Sequence, residues 1–144
     1  CAVNWPITTA KRSNMPRTDS VTVSINVKPD QVWDYVADLK NWKDFSEFGK
    51  NMEKVSPEEW IAHTEQGDIR VLPKFKKEQL VLDHLCILSN GEEVLIPYRV
   101  EPVGDASKLT MVNQQGESVA DDDYAVQLEW MRTELETIKD LLED

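Results

Sequence analysis

The chain has 144 residues, of which 40% are hydrophobic and 30% charged, and its formal net charge at pH 7 is −11. That length fits one domain with a full hydrophobic core. No apolar run approaches the ~20 residues that span a bilayer, so we expect no membrane insertion. The negative charge repels phosphate, which disfavours nucleic acid and anionic membranes as partners.

The chemistry-bearing side chains match no metal or cofactor motif. Cys1 stands at the end of the sequence and Cys86 lies in an apolar run, so we expect no disulfide and a reducing cytoplasm as the location. His63 has no cysteine or carboxylate at a metal-ligand spacing, and the two histidines and two cysteines together match no metal-binding pattern. There is also no glycine-rich phosphate loop and no G-x-S-x-G motif, and we expect neither a metal nor a cofactor.

The first elements in chain order are an arm, a strand and a helix. Residues 1–19 show no periodicity and predict an extended or disordered arm, which leaves 20–144 as the folded domain. Apolar β-branched residues then alternate with polar ones, which predicts a strand; they are Val21, Val23, Ile25 and Val27. Pro29 suits the first turn of a helix, and the apolar stripe that follows predicts an amphipathic helix over 29–39.

A second short helix is predicted over 41–45. It carries two large aromatic residues, Trp42 and Phe45. Asn41 and Asp38 are both suitable N-cap residues for it. Aromatic side chains serve equally well as core or as the wall of a ligand pocket, and both interpretations stay open for these two.

The middle of the chain predicts an antiparallel meander, and its end predicts a long helix. Asn90-Gly91 between two apolar runs is typical of a hairpin turn. The expected strands are 52–55, 60–65, 69–75, 79–88, 93–101 and 109–113. Apolar residues spaced by 4, 3, 4, 3 and 4 indicate a helix over 120–142; they are Tyr124, Leu128, Met131, Leu135, Ile138 and Leu142.

The hairpin predicts which side chains face inward. If Asn90-Gly91 is a two-residue turn, Asp83 lies opposite Tyr98 and Leu85 opposite Ile96, on a face that is otherwise apolar. A carboxylate there has to be hydrogen-bonded or protonated. Asp83 is then either a structural partner of Tyr98 or a polar anchor with a raised pKa. His84 and Arg99 fall on the opposite face, where they are either a solvated pair or contacts for a ligand.

The order of these elements resembles the START/Bet v 1-like superfamily, which includes polyketide cyclases and lipid-transfer proteins. The signature is Val32-Trp33-x-x-Val36-Ala37-Asp38 followed by Trp42, and the resemblance covers about 20–143. It implies an α+β helix-grip fold, in which a seven-stranded antiparallel sheet wraps the C-terminal helix. A cavity between the sheet and that helix would then be lined by Trp42, Phe45, Val71, Leu85, Tyr98, Met111, Leu128 and Met131. The superfamily shares no universal catalytic residue.

Three functions follow as hypotheses. The first is binding of a small hydrophobic molecule, as a carrier or sensor, with Asp83 and Tyr98 orienting its polar group. The second is an aromatase/cyclase-like enzyme that uses Asp83 or His84 as acid or base. The third is a protein-interaction module, and a homodimer is compatible with all of them.

Overall fold

A computed structural model of the chain describes residues 17–65, 67–117 and 119–144. Within them the strands are β1 (Thr18–Ile25), β2 (Met52–Ser56), β3 (Glu59–Thr64), β4 (Gly67–Pro73), β5 (His84–Ile87), β6 (Glu93–Ile96), β7 (Tyr98–Val103) and β8 (Ala106–Gln114). The α-helices are α1 (Pro29–Ala37) and α2 (Asp121–Glu143), and short 3-10 helices cover Leu39–Asp44, Glu47–Asn51 and Lys77–Gln79. Most of the predicted arm over 1–19 lies outside the described residues. Strand β1 starts at Thr18, so the last two residues of the predicted arm belong to the strand.

Helix α1 begins where the sequence predicts, whereas the short helix predicted over 41–45 starts two residues earlier, as the 3-10 helix Leu39–Asp44. Pro29 stands in the first turn of α1, and the helix buries Val32 and Val36 against the core. Asp38 caps the following 3-10 helix, because its carboxylate accepts a hydrogen bond from the backbone N–H of Lys40 at 3.1 Å. This short helix buries Trp42. The cap therefore fixes the direction in which the chain carries Trp42 back over the core.

The strands pair in two antiparallel sheets of the described chain, β1-β8-β7 and β2-β3-β4-β5-β6. A seven-stranded sheet was expected, and the count of eight arises at Pro97. Proline has no N–H for the ladder, so the predicted strand over 93–101 divides into β6 and β7. The two sheets stay joined there, because the N–H of Val112 in β8 donates to the carbonyl of Pro97 at 2.9 Å. The α+β helix-grip prediction is confirmed.

The predicted register of the β5–β6 hairpin is wrong by one residue. The loop has three residues, 89–91, since the N–H of Leu88 donates to the carbonyl of Glu92 at 2.8 Å. Gly91 takes the positive φ of 90° that such a loop needs at its last position. His84 consequently pairs with Ile96, and Leu85 with Leu95. Because side chains alternate along a strand, every residue of β5 faces opposite to its predicted side.

Helix α2 lies across the concave side and closes the core. Its apolar stripe is confirmed, with Tyr124, Met131, Leu135 and Ile138 all buried. Three aspartates in its first turn complement the helix dipole. The core joins this stripe to the inner residues of β1, β7 and β8, including Val21, Tyr98, Leu109 and Met111.

Two further findings concern the cysteines and the membrane. The expectation of no disulfide is wrong for Cys86, which is disulfide-bonded; Cys1 lies outside the described residues. In the described ranges no helix is long and apolar enough to cross a membrane.

Candidate functional site

Polar side chains lie buried between the sheet and α2, where an apolar core was expected. His84 on β5 and Asn113 on β8 are 0% exposed, and Gln127 on α2 is also 0% exposed. Glu134, two turns further along α2, is 6% exposed. Buried polar groups need partners, so the hydrogen bonds of this cluster decide what the interior can do.

Three aromatic rings form one end of the cluster. The indole N–H of Trp42 donates to the carbonyl of Val36 at 2.8 Å, which fixes the ring over the interior. The ring centroids of Trp42 and His84 lie 5.2 Å apart, in an edge-to-face arrangement. The ring of Tyr98 follows, with its centroid 6.0 Å from that of His84. The imidazole is therefore held between an indole and a phenol.

His84 is a neutral imidazole in this position. Burial lowers the pKa of His84 well below its ordinary value, because a charged ring has no water to solvate it. Its Nδ1 lies 3.2 Å from the carbonyl oxygen of Leu82. A carbonyl only accepts, so we assign the proton to Nδ1. The basic nitrogen is then Nε2.

Tyr98 and Glu134 carry titratable groups into the same interior. Burial, and secondarily the Glu134 carboxylate, raises the pKa of Tyr98 well above its ordinary value. The phenol is therefore a neutral donor, and its hydroxyl has no hydrogen-bond partner among the described residues. Burial likewise raises the pKa of Glu134 to about 6, and a hydrogen bond with the Ser46 side chain opposes this increase.

A second polar pair lies further along the same strands and helix. The side-chain amide of Asn113 donates to Oε1 of Gln127 at 3.1 Å. The other halves of both amides, Oδ1 of Asn113 and Nε2 of Gln127, have no partner within the described residues. If both amides were flipped, one carbonyl oxygen and one NH₂ group would still be left over.

The structure brings most of the predicted pocket residues into the interior. Five of them are at most 2% exposed there: Trp42, Val71, Tyr98, Met111 and Met131. Phe45 is 8% exposed and packs beside Trp42, with ring centroids 6.3 Å apart. Leu128 is partly buried at the edge of the core. Their role in holding a ligand remains a proposal.

Asp83 and Leu85 lie on the outer face, which corrects the predicted face assignment, and His84 replaces them inside. Asp83 accepts a hydrogen bond from the backbone N–H of Tyr98 at 2.8 Å and another from Arg99 at 3.2 Å. The predicted contact with the Tyr98 hydroxyl is thus a contact with its backbone. Asp83 fixes Tyr98 at the break that Pro97 makes in the sheet.

We expect Asp83→Asn to lower the free energy of unfolding by about 0.5–1.5 kcal/mol, the usual net contribution of a hydrogen bond. Asparagine keeps an acceptor for the Tyr98 N–H but loses the charge that pairs with Arg99. Urea denaturation measures the loss, and amide hydrogen exchange at Tyr98 should accelerate with it. Glu101→Gln on β7 is the control, because Glu101 is exposed; an equal loss in both variants would contradict this role of Asp83.

Three residues of the cluster, Asn113, Gln127 and Glu134, were not identified from the sequence, although the positions of these residues carry a signal. Gln127, Met131, Glu134 and Ile138 are spaced by 4, 3 and 4, so two polar residues occupy the buried stripe of α2. Asn113 continues the alternation of Leu109 and Met111 on β8. Polar residues at apolar positions of a clear period indicate a functional interior.

Comparison with protein families identifies one match. A family model described as polyketide cyclase / dehydrase and lipid transport matches residues 18–143. No curated protein matches the chain in sequence.

Solved structures match the fold at low sequence identity. The protein XoxI from Bacillus cereus has 12% identity and a TM-score of 0.70, covering 86% of this chain and 94% of its own. The Zhui aromatase/cyclase from a Streptomyces species has 14% identity and a TM-score of 0.64, covering 86% and 92%. Ara h 8.0201 has 11% identity and a TM-score of 0.60, covering 88% and 97%. At these identities the likeness establishes the fold alone, and the fold is of the Bet v 1-like type.

Proposed function

This chain belongs to the polyketide cyclase/dehydrase and lipid transport family, and we propose that it binds a small, mainly apolar molecule between the inner face of its sheet and α2. Family and fold together indicate a polyketide cyclase/dehydrase-like or Bet v 1-like ligand-binding domain. The finer proposal, that the protein is a carrier or sensor of one compound, rests on the side chains buried between the sheet and α2.

The single observation that carries the proposal is the Tyr98 hydroxyl. It is buried, neutral and without a partner among the described residues. An unsatisfied buried donor costs about 1–3 kcal/mol, and phenylalanine would fill the same space without that cost. A donor kept at this expense is explained by a bound molecule that accepts its hydrogen bond.

The surrounding side chains suit an apolar guest. Trp42, Met111 and Met131 are buried around the polar cluster. Indole provides a large apolar surface, and the unbranched thioether of methionine adapts to irregular shapes. Ligand sites typically combine such apolar walls with a few convergent polar groups.

We expect Met131→Phe to weaken binding of apolar compounds by at least about tenfold, because the larger ring occupies space between α2 and the sheet. Binding is measured by isothermal titration calorimetry with a compound that native mass spectrometry finds on the protein purified from its own host. Leu141→Phe is the matched control, since Leu141 lies on the same helix and is 43% exposed. Equal binding by both variants would contradict an interior site.

His84 supports a second candidate function, proton transfer on the bound molecule. It is a neutral imidazole next to the Tyr98 phenol, which is the combination of a base and a neutral donor. A carrier returns the bound compound unchanged, whereas an enzyme converts it. If the protein is an enzyme, His84→Gln should abolish conversion of the bound compound, which liquid chromatography measures. The dissociation constant of that compound should change by no more than about threefold.

A further inference from the structure

The buried polar groups are arranged as two pairs at opposite ends of one strip. On the sheet, Tyr98 lies opposite Met111, and Asn113 follows Met111 on the same face of β8. On α2, Met131 lies between Gln127 and Glu134. Asn113 is hydrogen-bonded to Gln127. Helix α2 runs antiparallel to β8, because Tyr124 donates to the carbonyl of Asn113 and Lys139 to that of Ser24, which pairs with Lys108 on β8. Glu134 therefore lies toward the Tyr98 end, where its carboxylate helps to raise the pKa of Tyr98. On α2 a methionine therefore lies between two polar residues, and on the sheet Met111 is next to Tyr98 across the strands and next to Asn113 along β8.

The separation of the two ends follows from the geometry of strand and helix. On the sheet, Asn113 lies two residues along β8 from Met111, the partner of Tyr98, and this step corresponds to about 7 Å. Seven residues along α2, from Gln127 to Glu134, correspond to about 10 Å. The ends are thus about as far apart as the two ends of a molecule with two fused or linked rings, with Met131 between them on the helix and Met111 beside Tyr98 on the sheet.

Each end has its own hydrogen-bonding requirement. At the first end, Tyr98 offers a donor and Glu134 an acceptor, a combination that a hydroxyl group satisfies because it accepts and donates at once. At the second end, the Asn113–Gln127 pair leaves one amide carbonyl and one amide NH₂ without a partner in the described chain. A group with a neighbouring acceptor and donor, such as a carboxamide, matches that pair.

We propose that the ligand of this interior is an elongated molecule with a hydroxyl group at one end, an apolar middle, and a group that both donates and accepts hydrogen bonds at the other end. The hydroxyl binds Tyr98 and Glu134, the middle lies against Met111 and Met131, and the far end binds Asn113 and Gln127. This inference rests on the proposed function and narrows its ligand from any apolar compound to a molecule with two polar ends.

The test uses four rigid probes that differ only in their polar ends: 4'-hydroxybiphenyl-4-carboxamide, 4-hydroxybiphenyl, biphenyl-4-carboxamide and biphenyl. Dissociation constants are measured for the full chain by isothermal titration calorimetry at pH 7.5. We expect the two-ended probe to bind at least about tenfold more tightly than either one-ended probe. Biphenyl should bind most weakly.

Two variants assign each end to its residues. Tyr98→Phe removes a buried hydroxyl that has no partner, so the fold should persist, and it should reduce only the advantage that the probe hydroxyl confers. The double variant Asn113→Leu/Gln127→Leu removes both amides together, and it should reduce only the advantage of the carboxamide. Far-ultraviolet circular dichroism of each variant verifies the fold before binding is compared.

The outcomes separate this inference from the proposed function. If all four probes bind equally, or if only one polar end improves binding, the proposal of a ligand with two polar ends is wrong. The proposed binding of an apolar molecule is not contradicted by that result. If none of the probes binds, both the inference and the proposed function are wrong. If the two-ended probe is preferred and each variant erases the advantage of its own end, the inference is supported.

Discussion

Trp42→Ala should lower the free energy of unfolding by about 3–5 kcal/mol, the usual cost of truncating a buried large aromatic residue. Trp42 is 2% exposed, and its indole packs against the His84 ring and donates to the carbonyl of Val36. Truncation leaves a cavity and an unpaired carbonyl at once. Chemical denaturation monitored by circular dichroism measures the loss.

Two comparisons show whether the loss comes from the interior. Trp130→Ala on α2 removes a tryptophan that is only partly buried, so its loss should be clearly smaller. Water that enters beside His84 in Trp42→Ala should also raise the pKa of this histidine toward its ordinary value, which NMR titration measures. A loss no greater than that of Trp130→Ala, with an unchanged His84 titration, would contradict the described packing.

Glu134→Gln should increase the free energy of unfolding by about 2 kcal/mol at pH 7.5 and leave it nearly unchanged at pH 4.5. The pKa of Glu134 is raised from 4.5 to about 6 by burial, and each pKa unit corresponds to about 1.4 kcal/mol. The folded state therefore holds the proton more tightly than the unfolded state. Stability falls as the pH rises from 4.5 through about 6, and glutamine removes that fall.

The measurement is urea denaturation of the wild type and the variant at both pH values. Other titrating groups, His84 among them, affect both proteins equally and cancel in the difference. Glu136→Gln is the control on the same helix, because Glu136 is exposed, and its effect should stay within about 0.5 kcal/mol at both pH values. The same difference at both pH values for Glu134→Gln would show that this carboxyl group does not titrate inside the fold.

The fold could be predicted because its signals are local. The alternation in β1, Pro29 at the start of α1 and the apolar stripe of α2 each depend on one short segment. The eighth strand was not predicted, although Pro97 marks the boundary between β6 and β7. In the sequence, a proline where two sheets join cannot be distinguished from an interruption within one strand.

The site was only partly predictable, because it depends on register. Trp42, Tyr98, Met111 and Met131 lie in the interior as the resemblance implied. The exchange of Asp83 for His84 depends on one residue in the 89–91 loop, and Asn90-Gly91 is compatible with both a two-residue and a three-residue loop. The burial of Glu134 is indicated by its position in the stripe of α2, but its hydrogen bond with Ser46 is a long-range contact that no local pattern predicts.

The three-residue loop of the β5–β6 hairpin has an evolutionary consequence. Loss of one codon there shortens the loop to two residues and turns one strand over relative to the other. If β5 is the strand that turns, the imidazole of His84 leaves the interior and the carboxylate of Asp83 enters it, with no substitution at either position. Relatives that differ by one residue in this loop would then share a fold and present opposite acid–base chemistry to whatever they enclose.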